Sequence, residues 1–432
     1  MANNLLDINM ITMSAMDLFV NDNPFLKNIP KNLASYFGKP DAMIGTTLNI
    51  RKRLDYTLRV GQTAQPQSTN EQEVTLTINT QLGSDVYFSS QDLALSLQSF
   101  SENVLRTVIN VVAGGAAAAI IGMVETGVAN LQLGGSQVNT GGIPYMVNYT
   151  ANGINNPTGT TAHPNVLSVL DMGAYLTSLS CPKENRCLIL HPRTEASLVA
   201  NYAGYFNPQI KLSKQWETGL VGLDTLGFSK TLSDQTVIAH QVANYGTLPT
   251  TNGVAQSGSV ITVNALTAPL NVGDIISFGV AGNGVNYVNR VTKADTGLLG
   301  QFVLTSAGTI GATTLNVYPP VIGPAANGAQ VQYQTVTSDI ANATQLTSPI
   351  QANTLYYKNF GFHPHAVDAV FVKLPENLPG AEVKSADLDG AAIRVARYWN
   401  GSSDQTAWRF DTLFGAVVKR PEWLVVLTDS VA

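Results

Sequence analysis

Between Thr46 and Val60 the sequence reads TTLNIRKRLDYTLRV. In steps of two, Leu48, Ile50, Lys52, Leu54, Tyr56, Leu58 and Val60 fall on one side. Thr47, Asn49, Arg51, Arg53, Asp55, Thr57 and Arg59 fall on the other. Period two is the side-chain alternation of a β-strand. Three guanidiniums on one face make a surface for carboxylates or carbonyls, because Arg presents a planar fork of donors.

Other candidate chemistry is sparse. His363 and His365 in HPH could hold a metal, but no carboxylate or cysteine cluster lies near them, so they read as surface histidines, as does His191 in HPR. Cys181 and Cys187 in CPKENRC fit no common zinc spacing; a reduced pair is expected, with a disulfide as the alternative. Asp387 and Asp389 in SADLDG lack the remaining spaced ligands of a Ca²⁺ loop and read as a polar turn. GVAGNGV, Gly279–Val285, has no helix pattern after it, so it is no phosphate cradle. No Walker A loop or Gly-x-Ser-x-Gly elbow occurs. The expectation is a chain that is not an enzyme and has no cofactor, catalytic residue or metal.

Composition frames this. The 432 residues suffice for two or three domains. Only 12% are charged, against about 25% in an ordinary soluble domain. Neutral polar residues take their place, which suits close packing against neighbours and equally a weakly charged monomer. Net charge is −5, and no basic stripe of the kind that grips nucleic acid dominates. The N-terminus lacks the basic and apolar regions of a signal peptide. The longest apolar run, Val111–Val124, is too short for a membrane helix and reads as a buried soluble one.

The elements that must position the arginines follow in order. Residues 1–45 read as an arm: Ile8, Ile11, Ala15, Leu18 and Phe19 are helically spaced, and Pro24, Pro30 and Pro40 then interrupt. Residues 46–90 read as a long hairpin turning at GQTAQPQSTNEQ and returning through EVTLTINT. A long helix begins near the capping box Ser99-x-x-Glu102 and ends at Gly134-Gly135. At 1.5 Å per residue it would be a rod of about 50 Å, unless Gly114-Gly115 breaks it in two. A loop follows from 132 to 161, then helices starting at Pro164 and Pro192 around the buried strand RCLIL. From about Val237 the pattern turns all-β: SVITVNAL, DIISFGV, VNYVNRVT, GQFVLTS, TTLNVYP and AQVQYQTV, a small barrel or sandwich inserted in a host domain. Host-type strands resume at AVDAVFVKL.

This order, with FNPQ (Phe206–Gln209), GLDTL (Gly222–Leu226), NVGDIISFGV (Asn271–Val280) and the closing ARYWNGSSDQTAWRFDTLFGAVVKRPEWLVVL, resembles the major capsid proteins of tailed bacteriophages. Within them it looks most like the coat proteins of Salmonella-type short-tailed phages, which carry an inserted β-barrel domain. The resemblance implies an α+β tailed-phage major capsid fold. Its parts would be an N-arm at 1–45, an extended loop at 46–90, a peripheral domain with spine helix at 91–135, an axial domain at 136–236, the inserted barrel at 237–347, an axial return at 348–390 and peripheral return strands at 391–432. It implies a non-catalytic shell protein that assembles in the host cytoplasm and resides in the virion. Its partners would be identical subunits in hexamers and pentamers, a scaffolding protein, a portal protein and double-stranded DNA held non-specifically, with room for decoration proteins and no membrane. Under it the extended loop lies across a neighbouring subunit, and Arg51, Arg53, Arg59 and Tyr56 are expected at that contact. The alternative for the arginines is a solvated basic face, worth ~0–1 kcal/mol per pair. The competing reading of the whole chain is a secreted or cell-surface β-rich adhesin.

Overall fold

The computed structural model describes residues 8–21, 23–31, 47–59, 61–67, 69, 71–89, 104–132, 164, 166–202, 223–225, 227–280, 283–324 and 331–430. The chain is a mixed α+β protein of two compact units, one formed by 1–50, 74–123 and 367–419, the other by 51–73, 124–366 and 420–432.

Helix α1 (Ile8–Asn21) buries Ile8, Ile11, Ala15 and Phe19, as their spacing requires. Asn23 then caps α2 (Pro24–Asn28): its side-chain oxygen accepts from the amides of Phe25 and Leu26, and Pro24 takes the first helical position, where no amide is needed. Strands β1 (Thr47–Arg51) and β2 (Glu73–Thr77) pair. Ile50, Leu76, Ile78 and Val370 form a small core beneath them. β3 (Thr80–Ser89) leaves the hairpin expected for 46–90 and joins a different sheet.

Helix α3 (Arg106–Glu125) is 20 residues long. It runs unbroken through Gly114-Gly115, where Ala116 and Ala117 are fully buried and a Cβ on Gly115 would meet only Leu82 at 3.8 Å. The capping box at Ser99 and Glu102 lies outside the described residues. By length and composition α3 could cross a membrane, but half of its most apolar window is buried within the chain, as in a core helix.

After β4 (Asn130–Gln132) come α4 (Val166–Ser178), β5 (Cys187–Leu190), α5 (Pro192–Tyr202), β6 (Leu223–Thr225), β7 (Phe228–Ser233) and β8 (Ala239–Gln241). The fully buried Arg186 ties α4 to the turn that follows it: its guanidinium donates to the carbonyls of Gly173, Pro182 and Cys181 at 2.7–2.9 Å.

The all-β stretch holds β9 (Gly258–Thr262), β10 (Ile275–Phe278), β11 (Asn286–Val288), β12 (Asp295–Leu299), β13 (Phe302–Leu304), β14 (Thr314–Val321) and β15 (Leu346–Thr347). One sheet runs β15-β10-β13-β14-β9. Thr250 bridges Gln345 beside β15, and Thr251 bridges Val263 beside β9, so the order returns on itself. Five of the six sequence-predicted strands are present; AQVQYQTV instead carries a 3-10 turn at Val331–Tyr333.

β16 (Leu355–Phe362) is central to a seven-stranded sheet ordered β4-β21-β16-β5-β7-β6, with β8 also on β16. β21 (Leu424–Ser430) is the final strand. β17 (Val367–Val372), β18 (Glu382–Leu388), β19 (Ala391–Asn400) and β20 (Gln405–Val418) form the other large sheet with β3. The return strands therefore divide differently from the sequence expectation of 348–390 and 391–432. β17 and β18 side with β19 and β20, while β21 pairs with β16 over seven residues. Pairing and not composition decided their membership. α1 packs on β18 and β19, and Phe19 meets Phe371 edge to face at 5.9 Å.

Candidate subunit interface

The predicted strand Thr46–Val60 is regular only to Arg51. One further amide, Lys52 N, donates to Gln72 O at 2.7 Å. Beyond it the limbs are joined by a side chain: Gln67 accepts from Thr57 N at 2.9 Å and donates to Thr57 O at 2.7 Å, replacing a ladder pair. Where the ladder stops, both alternating faces acquire tethers. Lys52 lies 5.9 Å from the Tyr318 ring centroid, a cation–π contact. Burial, and then the charge of Arg290, lower its pKa. Asp55, on the face that the sequence marks as cationic, is buried and meets Arg290 Nε at 2.5 Å. Arg290 also binds Glu422. Burial likewise lowers the nearby Lys293, with Asp55 opposing.

The base of the loop is thus fixed by residues 235 positions away in sequence, while its far part is uncovered. Ile50 is buried and Leu54 half-buried, but Tyr56 is 50% and Leu58 86% exposed. Arg53 is exposed and lines a cleft of about 240 Å³ with Asp55, Tyr56, Arg290, Arg420 and Trp423. Arg420 stacks on Trp423 there at 4.0 Å. Arg51 pairs with Glu71 at 3.2 Å, both in solvent, an arrangement worth ~0–1 kcal/mol. Arg59 donates to the carbonyls of Gly61 and Thr63, stapling its own turn. Tyr56 Oη lies 3.5 Å from Thr69 Oγ1. The four sequence-predicted residues therefore share one loop but differ in role. Reading the segment alone could not identify Asp55 as its anchor; the signal was a lone carboxylate among cations.

The other candidates resolve differently. His363 is buried, against the surface position expected, because Trp423 covers its ring edge to face at 5.2 Å and its Nδ1 accepts from His365 N. His191 stacks on Tyr357 at 3.8 Å. Cys181 and Cys187 are buried free thiols. Burial pushes Cys181 up to about 11, with Arg186 opposing. Among the described residues no group of three or more His, Cys, Asp or Glu side chains is arranged to hold a metal ion.

A family model described as P22 coat protein, gene protein 5, matches residues 136–427, more than half of the chain. That match defines the class: a bacteriophage coat protein, a structural protein of the capsid and virion. The chain belongs to the P22 coat protein family. No curated protein matches it. Among solved structures it is similar to a chain from Mycobacterium phage Che8, at 11% identity and TM-score 0.43, covering 94% of this chain and 90% of that one. It is also similar to a chain of the capsid of the cyanophage P-SCSP1u, at 14% identity and TM-score 0.37, covering 90% and 84%. A chain of a virus-like particle from Pyrococcus furiosus is similar at 9% identity and TM-score 0.36, covering 97% and 98%.

Proposed function

We propose that this chain is the major shell subunit of a tailed phage, assembling without catalysis into an icosahedral capsid of hexamers and pentamers around double-stranded DNA. A scaffolding protein guides assembly in the host cytoplasm, and DNA enters through a portal. Within the shell, Arg53, Tyr56 and Leu58 meet the neighbouring subunit, and Arg51 and Arg59 hold the loop in shape for that contact. Beyond membership in the family, the observation that carries this is a loop tethered at its base and bare at its tip. An exposed Leu beside a half-exposed Tyr is apolar area that a neighbouring copy covers. Modest contacts, repeated over a closed shell, sum to a stable particle.

Co-expression with the scaffolding protein, followed by negative-stain microscopy, tests the function. Closed icosahedral or tubular particles are expected, and a solitary globule would overturn it. Arg53→Glu and Leu58→Asp test the contact. Both should cut particle yield while leaving the melting temperature of the free subunit within about 1 °C, since surface substitutions cost within about 0.5 kcal/mol. Normal yield and particle stability from both variants would refute the contact and leave the shell-forming role intact.

A further inference from the structure

The NVGD stretch, Asn271–Asp274, has a structural use that its strand context does not suggest. It forms a tight turn before β10, and Asp274 is 3% exposed. Asp274 Oδ2 accepts from Asn271 N at 2.8 Å and from Ala243 N at 3.4 Å. Asp274 Oδ1 lies 2.9 Å from His240 Nε2 on β8. The other ring nitrogen, Nδ1, lies 2.8 Å from Glu125 Oε1 at the C-terminal end of α3. Glu125 in turn binds Lys358 on β16, whose side chain is 3% exposed. The Tyr356 ring closes the side, edge to face with His240 at 5.5 Å. Asn271 Nδ2 donates to Gln241 O at 3.0 Å, so the turn grips β8 a second time. Gly273 has φ +87°, and a Cβ there would lie 2.8 Å from Glu125 Oε1 and 3.1 Å from His240 Cε1. The turn is seated too closely for any side chain.

We infer that His240 is the keystone of a conformational latch: by bridging Glu125 and Asp274 it makes release of the Asn271–Asp274 turn, and with it β10 and β13, one event with loss of the α3 end from the β8–β16 pair. Three segments remote in sequence meet on one imidazole, and removal of any partner leaves a buried charge with part of its hydrogen bonding unmet. β10 and β13 follow the turn because Gly273 N donates to Leu304 O and Leu304 N to Asp274 O, both at 2.9 Å. Such an element opens as a unit with its own free energy, below that of global unfolding. It holds the β-rich stretch in register until the bridge breaks. This inference does not rest on the shell-forming role.

Hydrogen exchange by mass spectrometry on the full chain tests it. Glu125→Gln keeps the side chain's size beside Gly273 and removes no hydrogen bond that β10 or the turn itself makes, yet it should speed exchange in peptides spanning 269–280 and 300–306 at least tenfold, as should His240→Gln. The sheet of β17–β20 should be unchanged. Adding Glu125→Gln to His240→Gln should give no further acceleration. Acceleration confined to His240→Gln, or spread equally over both sheets, would overturn the latch. Should the variants not fold, the wild-type chain gives a second measurement. Carbethoxylation of His240 by diethyl pyrocarbonate should proceed with the same opening constant as β10 exchange, and modification tenfold faster than β10 opening would refute the coupling.

Discussion

Replacing Asp55 by Asn removes the charge that ties the loop base to Arg290 with little change of shape. Asp55 is 8% exposed, and the Arg290 side chain is one-third exposed and keeps Glu422. The loss therefore falls between a solvated pair, ~0–1 kcal/mol, and a fully buried one, ~3–5 kcal/mol. About 1.5–2 kcal/mol is expected, since solvent at Arg290 screens part of the effect. With 1.4 kcal/mol per factor of ten, the loop-opening equilibrium should rise about 10–30-fold. Trypsin reads this directly, because Arg51, Lys52, Arg53 and Arg59 all lie in the loop. Where reclosing outpaces cleavage, the cutting rate follows the opening equilibrium. Cleavage after Arg53 and Arg59 should accelerate by that factor, and exchange of the Thr57 amide should accelerate with it. A change under twofold in both would mean that Asp55 does not anchor the loop.

Gly83→Ala should destabilise the β3–β20 pairing by about 1–3 kcal/mol, because its Cβ would fall 2.6 Å from the Phe410 carbonyl and 2.5 Å from Asp411 Oδ1; an unchanged denaturant midpoint would contradict this. Burial would raise the Glu125 pKa, but hydrogen bonds from His240 and Lys358 and the Lys358 charge outweigh it and hold the carboxyl at about 2. Its contribution, about 2–3 kcal/mol, is complete above the ordinary carboxylate range near 4.5 and is lost as pH falls from there toward about 2. Burial lowers the Lys358 pKa, with the charge of Glu125 opposing. Glu125→Gln should therefore flatten the acid limb of the stability curve, and an identical limb would exclude the assignment. Burial raises both Cys181 and Cys187, so native chain at pH 7 should resist iodoacetamide for hours while unfolded chain reacts within minutes; equal rates would count against their burial.

Local chemistry was legible where it was self-contained. The spacing of Ile8, Ile11, Ala15 and Phe19 specifies α1 and its buried face, whereas Pro24, read as an interruption, opens α2 behind the Asn23 cap. The helices at Pro164 and Pro192 and most of the short β10–β14 strands follow from period and punctuation, because those signals act within a few residues. The loop was found as the place where cations gather. Its anchor was not found, because Arg290 and Glu422 enter from 235 and 367 positions further along the chain.

By itself, then, the sequence determined most of the helices and strands, which of their faces are apolar, and that cations gather in one long loop. Tertiary structure alone decided that β3 leaves the hairpin for β20, that β21 joins β16, and that His363 goes under Trp423. It also turned Asp55 inward and put His240 between two carboxylates. The physical reason is range. Periodicity and capping are properties of neighbours in the chain, whereas strand partners and buried ion pairs depend on which distant groups arrive at the same place.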